Sequence, residues 1–159
     1  MNVKILCVGK IKEKFYRDAV EEYEKRLSRY CKLTIVEVAD EKTPDRRSET
    51  EDRQIKEKEA VRLLSQIRDT DYVIALAIDG KETDSVAFAG HLQQLAVSGR
   101  SSLAFVIGGS LGLHTCILQR ADEIVSFSLM TFPHQLMRVI LLEQLYRSYR
   151  IINHEPYHK

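Results

Sequence analysis

Cysteine is scarce in this chain of 159 residues, and the three present (Cys7, Cys31 and Cys116) stand too far apart to form a CxxC pair. That spacing excludes the common zinc motifs, speaks against a disulfide framework and leads us to expect a reducing compartment. Long apolar runs are missing as well. Val139–Leu142 is fenced by Arg138 and Glu143, far short of the roughly 20 apolar residues that a membrane span needs. Met1 opens neither an Arg-rich presequence nor an apolar signal core, so we expect a cytoplasmic protein. Net charge is only +1, whereas a protein that holds RNA by charge alone carries a basic stripe. The best candidate stripe is Lys10–Lys32, with eight Lys/Arg against five Asp/Glu, a mild excess that also suits a solvated helix face. No repeat, low-complexity tract or linker divides the chain, and the reading is one domain over 1–159.

What is present alternates. Apolar runs at Val3–Val8, Leu33–Val38, Tyr72–Ile78, Leu103–Ile107 and Ile124–Phe127 read as strands. Helical periodicity falls between them at Phe15–Tyr30, Glu49–Ile67, Ser85–Val97 and Leu113–Ala121, with a last helix from Pro133 to about Ile152. Ser85 or Asp84 caps the third helix, and Asp79-Gly80 reads as the turn that ends the third strand. The strands lack polar alternation, as strands buried on both faces do. Five strand–helix alternations of this kind predict an α/β fold: a parallel sheet with helices on both faces.

Ligands of open parallel sheets bind outside the carboxyl ends of the strands. Three such ends stand out: Leu76–Gly80, Ile107–Gly112 and Phe127–Pro133. Glycines at 108, 109 and 112 either let backbone approach a ligand or serve a tight turn. They make no dinucleotide fingerprint, because Ser110 takes the place of the second required glycine. The Phe127–Phe132 loop is apolar and lacks Lys and Arg, which suits an adenine ring read by main-chain groups better than a phosphate. No metal-ligand cluster is visible.

The last helix is apolar on every side over Val139–Leu142, so it needs cover from two directions, and a second copy of the chain is the obvious source. Arg138 pairs with Glu143 or positions a substrate. His134 packs or caps the helix start, or takes part in chemistry. The tail His154-Glu155-Pro156-Tyr157-His158-Lys159 is either a frayed end or a source of the groups that proton transfer uses.

FVIGGSLG at 105–112, SFSLMTFPHQLMRVILLEQLYR at 126–147 and PYHK at 156–159 resemble the SPOUT-class bacterial methyltransferases that modify N3 of a pseudouridine in 23S ribosomal RNA. VKILCVGKIKEKF and EYEKRL fit the same family, so the likeness runs from end to end. The resemblance implies a C-terminal trefoil knot, a homodimer and S-adenosylmethionine as cofactor. It implies a cofactor site lined by Leu76, Gly108, Phe127, Ser128, Leu129, Met130, Thr131 and Phe132. The implied substrate lies in the stem-loop of 23S rRNA that faces the small subunit, within the assembled 70S ribosome. N3 of pseudouridine holds its proton at neutral pH, so a base or an anion-stabilising group is useful; His158, Tyr157 and Arg138 are the candidates for catalysis. Rival readings are a ribosome-binding protein without cofactor, a nicotinamide-dependent oxidoreductase and a transfer-RNA methyltransferase.

Overall fold

A computed structural model describes residues 1–159. Five strands, β1 (Asn2–Val8), β2 (Lys32–Val38), β3 (Tyr72–Glu82), β4 (Ser102–Ile107) and β5 (Glu123–Ser126), form one sheet in the order β2-β1-β4-β3-β5, and every pairing is parallel. Position in the sheet explains the strand sequences. Central β4 is buried at every residue after Ser102, while the edge strand β2 alternates between buried and wet.

The pleat sorts side chains to two faces. Val3, Ile5 and Cys7 of β1, with Leu103, Phe105 and Ile107 of β4, point to one face. There they meet α1 (Lys14–Leu27), α3 (Ser85–Val97) and α5 (His134–Ile152). Leu6, Val8, Ala104 and Val106 point to the other, against α2 (Glu49–Leu64) and α4 (Thr115–Arg120). The helices therefore lie on both faces, three against two. Asp84 is the cap of α3, its carboxylate accepting from the Ala87 N–H at 2.8 Å, and Ser48 caps α2 through the Glu51 N–H at 3.2 Å. No helix is long and apolar enough to cross a membrane.

Three local expectations are corrected. Asp79-Gly80 does not end β3. The strand runs on to Glu82, but Leu76 and Lys81 both align with Val125 of β5, so 77–80 stand out of the ladder as a bulge. Gly80 is there because a Cβ would sit 2.8 Å from the Val125 carbonyl carbon. α1 stops at Leu27, since Tyr30 turns away to stack on Tyr149 at 5.4 Å and to donate to Glu155 at 2.8 Å. Pro133 is the cap of α5 rather than its first residue.

The greasy stretch of α5 is the larger correction. Leu141 and Leu142 are 0% exposed in the single chain, because α5 lies against both α1 and α3 as well as the sheet. The second cover comes from the chain itself at these two positions; Val139 and Ile140 remain half-buried. Leu142→Ala is therefore expected to cost about 2–5 kcal/mol of folding stability in urea titration, as buried leucines do. A loss under about 1 kcal/mol would contradict this placement.

Candidate cofactor cleft

The order β4-β3-β5 brings the carboxyl ends of three strands side by side, and the loops leaving them surround a cleft of about 590 Å³. Leu76, Gly108, Phe127, Ser128, Met130, Thr131 and Phe132 line it. Leu129 does not; its side chain turns outward. Ala77 and Ile78 join the wall because the β3 bulge pushes them into it, and His134 and Met137 close it from α5. Periodicity gave no sign of the bulge, so Ala77 and Ile78 escaped the sequence reading. His134 and Met137 were legible as residues beside Pro133 but not as wall.

The glycine turn is built by close backbone contact. A Cβ on Gly108 would lie 2.7 Å from the carbonyl carbon of Gly112, and Gly112 itself sits at φ +86°, in the left-handed region. The Gly112 N–H donates to the Gly109 carbonyl at 3.1 Å. A side chain at 108 would thus displace the turn before it met any ligand. On the opposite wall, Ser128 folds the 127–132 loop onto itself: its Oγ accepts from the Met130 N–H at 2.9 Å, and its carbonyl accepts from Ser126 Oγ at 3.0 Å. Phe127 anchors the loop edge-on against Phe88 at 5.3 Å. The amides of Thr131 and Phe132 donate to no other group of the chain, which leaves them free to read a ligand edge. Apolar walls, free amides and this volume fit an adenosine group.

The three sequence candidates for catalysis are not brought together. Arg138 is 1% exposed and does not line the cleft. Its guanidinium donates to Glu37 Oε2 at 2.6 Å and to the Gly9 carbonyl at 3.1 Å, pinning α5 to the ends of β1 and β2. Its partner is therefore Glu37; Glu143 pairs with Arg147 instead. Nearby, burial pushes the Cys7 thiol up to about 12, so it stays protonated. His134, one turn before Arg138, does face the cleft, and burial and then the Arg138 charge hold its imidazole below the ordinary range, neutral at pH 7.

The tail packs at the other end of α5. Tyr157 meets Tyr146 edge-on at 4.9 Å and donates to Glu143 Oε1 at 3.1 Å. Burial and that hydrogen bond push the Tyr157 phenol up to about 12, which removes it as a base at neutral pH. His158 Nδ1 lies 3.2 Å from Arg147 Nη1. Arginine only donates, so Nδ1 accepts and the ring proton sits on Nε2. From His134 to Arg147 the helix advances about 20 Å at 1.5 Å per residue. Within one chain, Tyr157 and His158 stand that far from the cleft. No group of three or more His, Cys, Asp or Glu side chains is placed to hold a metal ion.

These features define the class: a parallel α/β protein whose apolar, glycine-edged cleft lies at the carboxyl edge of the sheet. A family model described as "Predicted SPOUT methyltransferase" matches residues 1–158, and the chain belongs to that SPOUT methyltransferase family. It is 58% identical over 159 residues to a protein of Clostridium beijerinckii and 54% identical to one of Lactobacillus acidophilus, covering 100% of each chain; both are named "Ribosomal RNA large subunit methyltransferase H". Among solved structures it is similar to a "Probable Methyltransferase" of Bordetella pertussis, with a TM-score of 0.56 at 12% identity over 92% of this chain and 95% of that one. A methylase-family protein of Haemophilus influenzae gives 0.54 at 12% identity, over 99% of this chain and 70% of that one. At such low identity these two support the fold alone.

A pH dependence follows from His134. Its folded-state pKa is lowered, so the native state resists protonation. Its contribution is intact above the unfolded imidazole value of about 6.5 and is lost as pH falls from there through the folded pKa. Urea midpoints measured between about pH 7.5 and pH 5 should fall more steeply for the wild type than for His134→Gln. Parallel curves would show that the imidazole titrates freely.

Proposed function

We propose that this chain is an S-adenosylmethionine-dependent methyltransferase that acts, as a cytoplasmic homodimer, on N3 of a pseudouridine in 23S ribosomal RNA. The target is the stem-loop that faces the small subunit, reached in the assembled 70S ribosome. The observation that carries this reading is the full-length identity to proteins named for methylation of large-subunit ribosomal RNA, joined to a cleft whose walls suit adenosine. The C-terminal trefoil knot belongs to the same reading and rests on the family resemblance. Near-neutral charge agrees with docking on a composite ribosomal surface, which needs less blanket positive charge than grasping free RNA.

S-adenosylmethionine, when bound, supplies a methyl group already activated on sulfonium sulfur. The chain has two other tasks. One is to hold the acceptor nitrogen in line, a positioning effect. Leu76, Gly108 and the Phe127–Phe132 loop shape the pocket for this, with Leu129 at its outer rim. The other is to receive the N3 proton. His158 is assigned that role, Tyr157 offers the acceptor base an aromatic face, and Arg138 acts as a positioning residue by fixing the start of α5. His158 can take up a proton at Nδ1 only after the Arg147 contact opens. Because the tail of one chain lies about 20 Å along α5 from its own cleft, a working site joins the cleft of one copy to the tail of another. The dimer is thus part of the chemistry.

Labelled-methyl transfer to 70S ribosomes, free subunits, protein-free 23S rRNA and transfer RNA tests this reading. Ribosomes should be methylated fastest. Deletion of 157–159 should lower that rate by about 10²-fold or more, the usual loss for a general base, with affinity for S-adenosylhomocysteine unchanged. Equal turnover of protein-free RNA, or a fully active truncated chain, would refute it.

A further inference from the structure

A second, smaller pocket of about 230 Å³ opens beside the cleft and shares Gly109, Ser110 and His134 with it. Its character differs. Val8 is its one hydrophobic wall, and the rest is polar, with Asp40, Lys42 and Glu59 supplying charge of both signs. Glu59 is the unusual member. It is 5% exposed, and its Oε2 accepts from the Glu41 N–H at 3.1 Å, while Oε1 has no hydrogen-bond partner in the chain. No cation is paired with it. Arg62, the nearest candidate, is committed to Glu41 Oε1 and to the Ala39 carbonyl. A buried carboxylate left half-satisfied is costly unless a ligand completes it. Burial accordingly raises the Glu59 pKa. Room for the completing group is kept by Gly109, where a Cβ would lie 3.0 Å from Glu59 Oε1.

A pocket with a carboxylate lacking its cation, a second carboxylate and a lysine matches a zwitterion. A phosphate would face Asp40 and Glu59, and a divalent metal would lack ligands. We propose that this pocket binds the α-amino-acid end of the methyl donor, with Glu59 and Asp40 accepting from its ammonium group and Lys42 meeting its carboxylate. The proposal rests on the reading that the adjoining cleft holds S-adenosylmethionine, whose adenosine and amino-acid ends would then occupy the apolar and the polar pocket. Glu59 and Asp40 act here as binding residues, and the methyl transfer itself does not pass through them.

The test is calorimetry on the full chain with two ligands, S-adenosylhomocysteine and 5′-methylthioadenosine. The second keeps the adenosine and lacks the amino acid. Glu59→Gln keeps the shape and an acceptor for the Glu41 N–H while removing the charge. It should weaken S-adenosylhomocysteine about 10-fold or more, the scale of a charge-assisted hydrogen bond. Binding of 5′-methylthioadenosine should stay within about twofold. Asp40→Asn, at an exposed position, should give a smaller loss with the same selectivity, and it decides the matter if Glu59→Gln does not fold. Unchanged S-adenosylhomocysteine affinity in both variants overturns the proposal, even if turnover falls, since the carboxylates would then serve the acceptor base. Equal weakening of both ligands overturns it too, because Glu59 would then only shape the Gly109 turn. Failure of the wild type to bind either ligand removes the cofactor site itself, a result distinct from the others.

Discussion

The buried guanidinium of Arg138 is the constraint on which the arrangement of the site depends. It reaches from α5 to Glu37 of β2 and to the Gly9 carbonyl that follows β1, and it leaves Nε without a partner. A buried charge of this kind adds little net stability, because desolvation offsets much of the attraction. Its geometric effect is large. It sets where α5 begins, and so places His134 and Met137 against the glycine turn and the 127–132 loop. Since α5 is continuous to Ile152, the same contact also fixes where the helix delivers the tail.

The account of α5 changes accordingly. An all-round apolar segment suggested a helix waiting for a partner subunit, yet Leu141, Leu142 and Leu145 are buried by the sheet and the flanking helices of the same chain. The argument for a second copy moves from hydrophobic cover to distance. Cleft and tail lie at opposite ends of one rigid helix, and only another chain can bring a tail to a cleft.

The sheet was legible because buried parallel strands leave uninterrupted apolar runs, and β1, β2 and β4 fall within a residue of their expected bounds. The three strand ends were legible for the same reason: once strands are placed, their carboxyl ends follow. The β3 bulge was not. A strand that skips four residues against its neighbour has no periodic signature, and Asp79-Gly80 imitates an ordinary turn. The role of Arg138 was hidden because Glu37 and Gly9 lie about a hundred positions away, whereas Glu143 is near in sequence and points elsewhere. Glu59 reads as one more charge on a solvated helix face; only the fold shows that its carboxylate is turned inward beneath Gly109.

The central claim is that cleft and tail act from different copies. Mixing two defective chains tests it most directly. One lacks 157–159; the other carries Ala77→Trp, which fills the cleft wall. Each alone should be inactive toward ribosomes. After subunit exchange at equal amounts, half the dimers are mixed and each mixed dimer holds one complete site, so activity should return to about a quarter of the wild-type rate. No recovery in a mixture shown to contain mixed dimers would contradict the account and return the tail to its own chain.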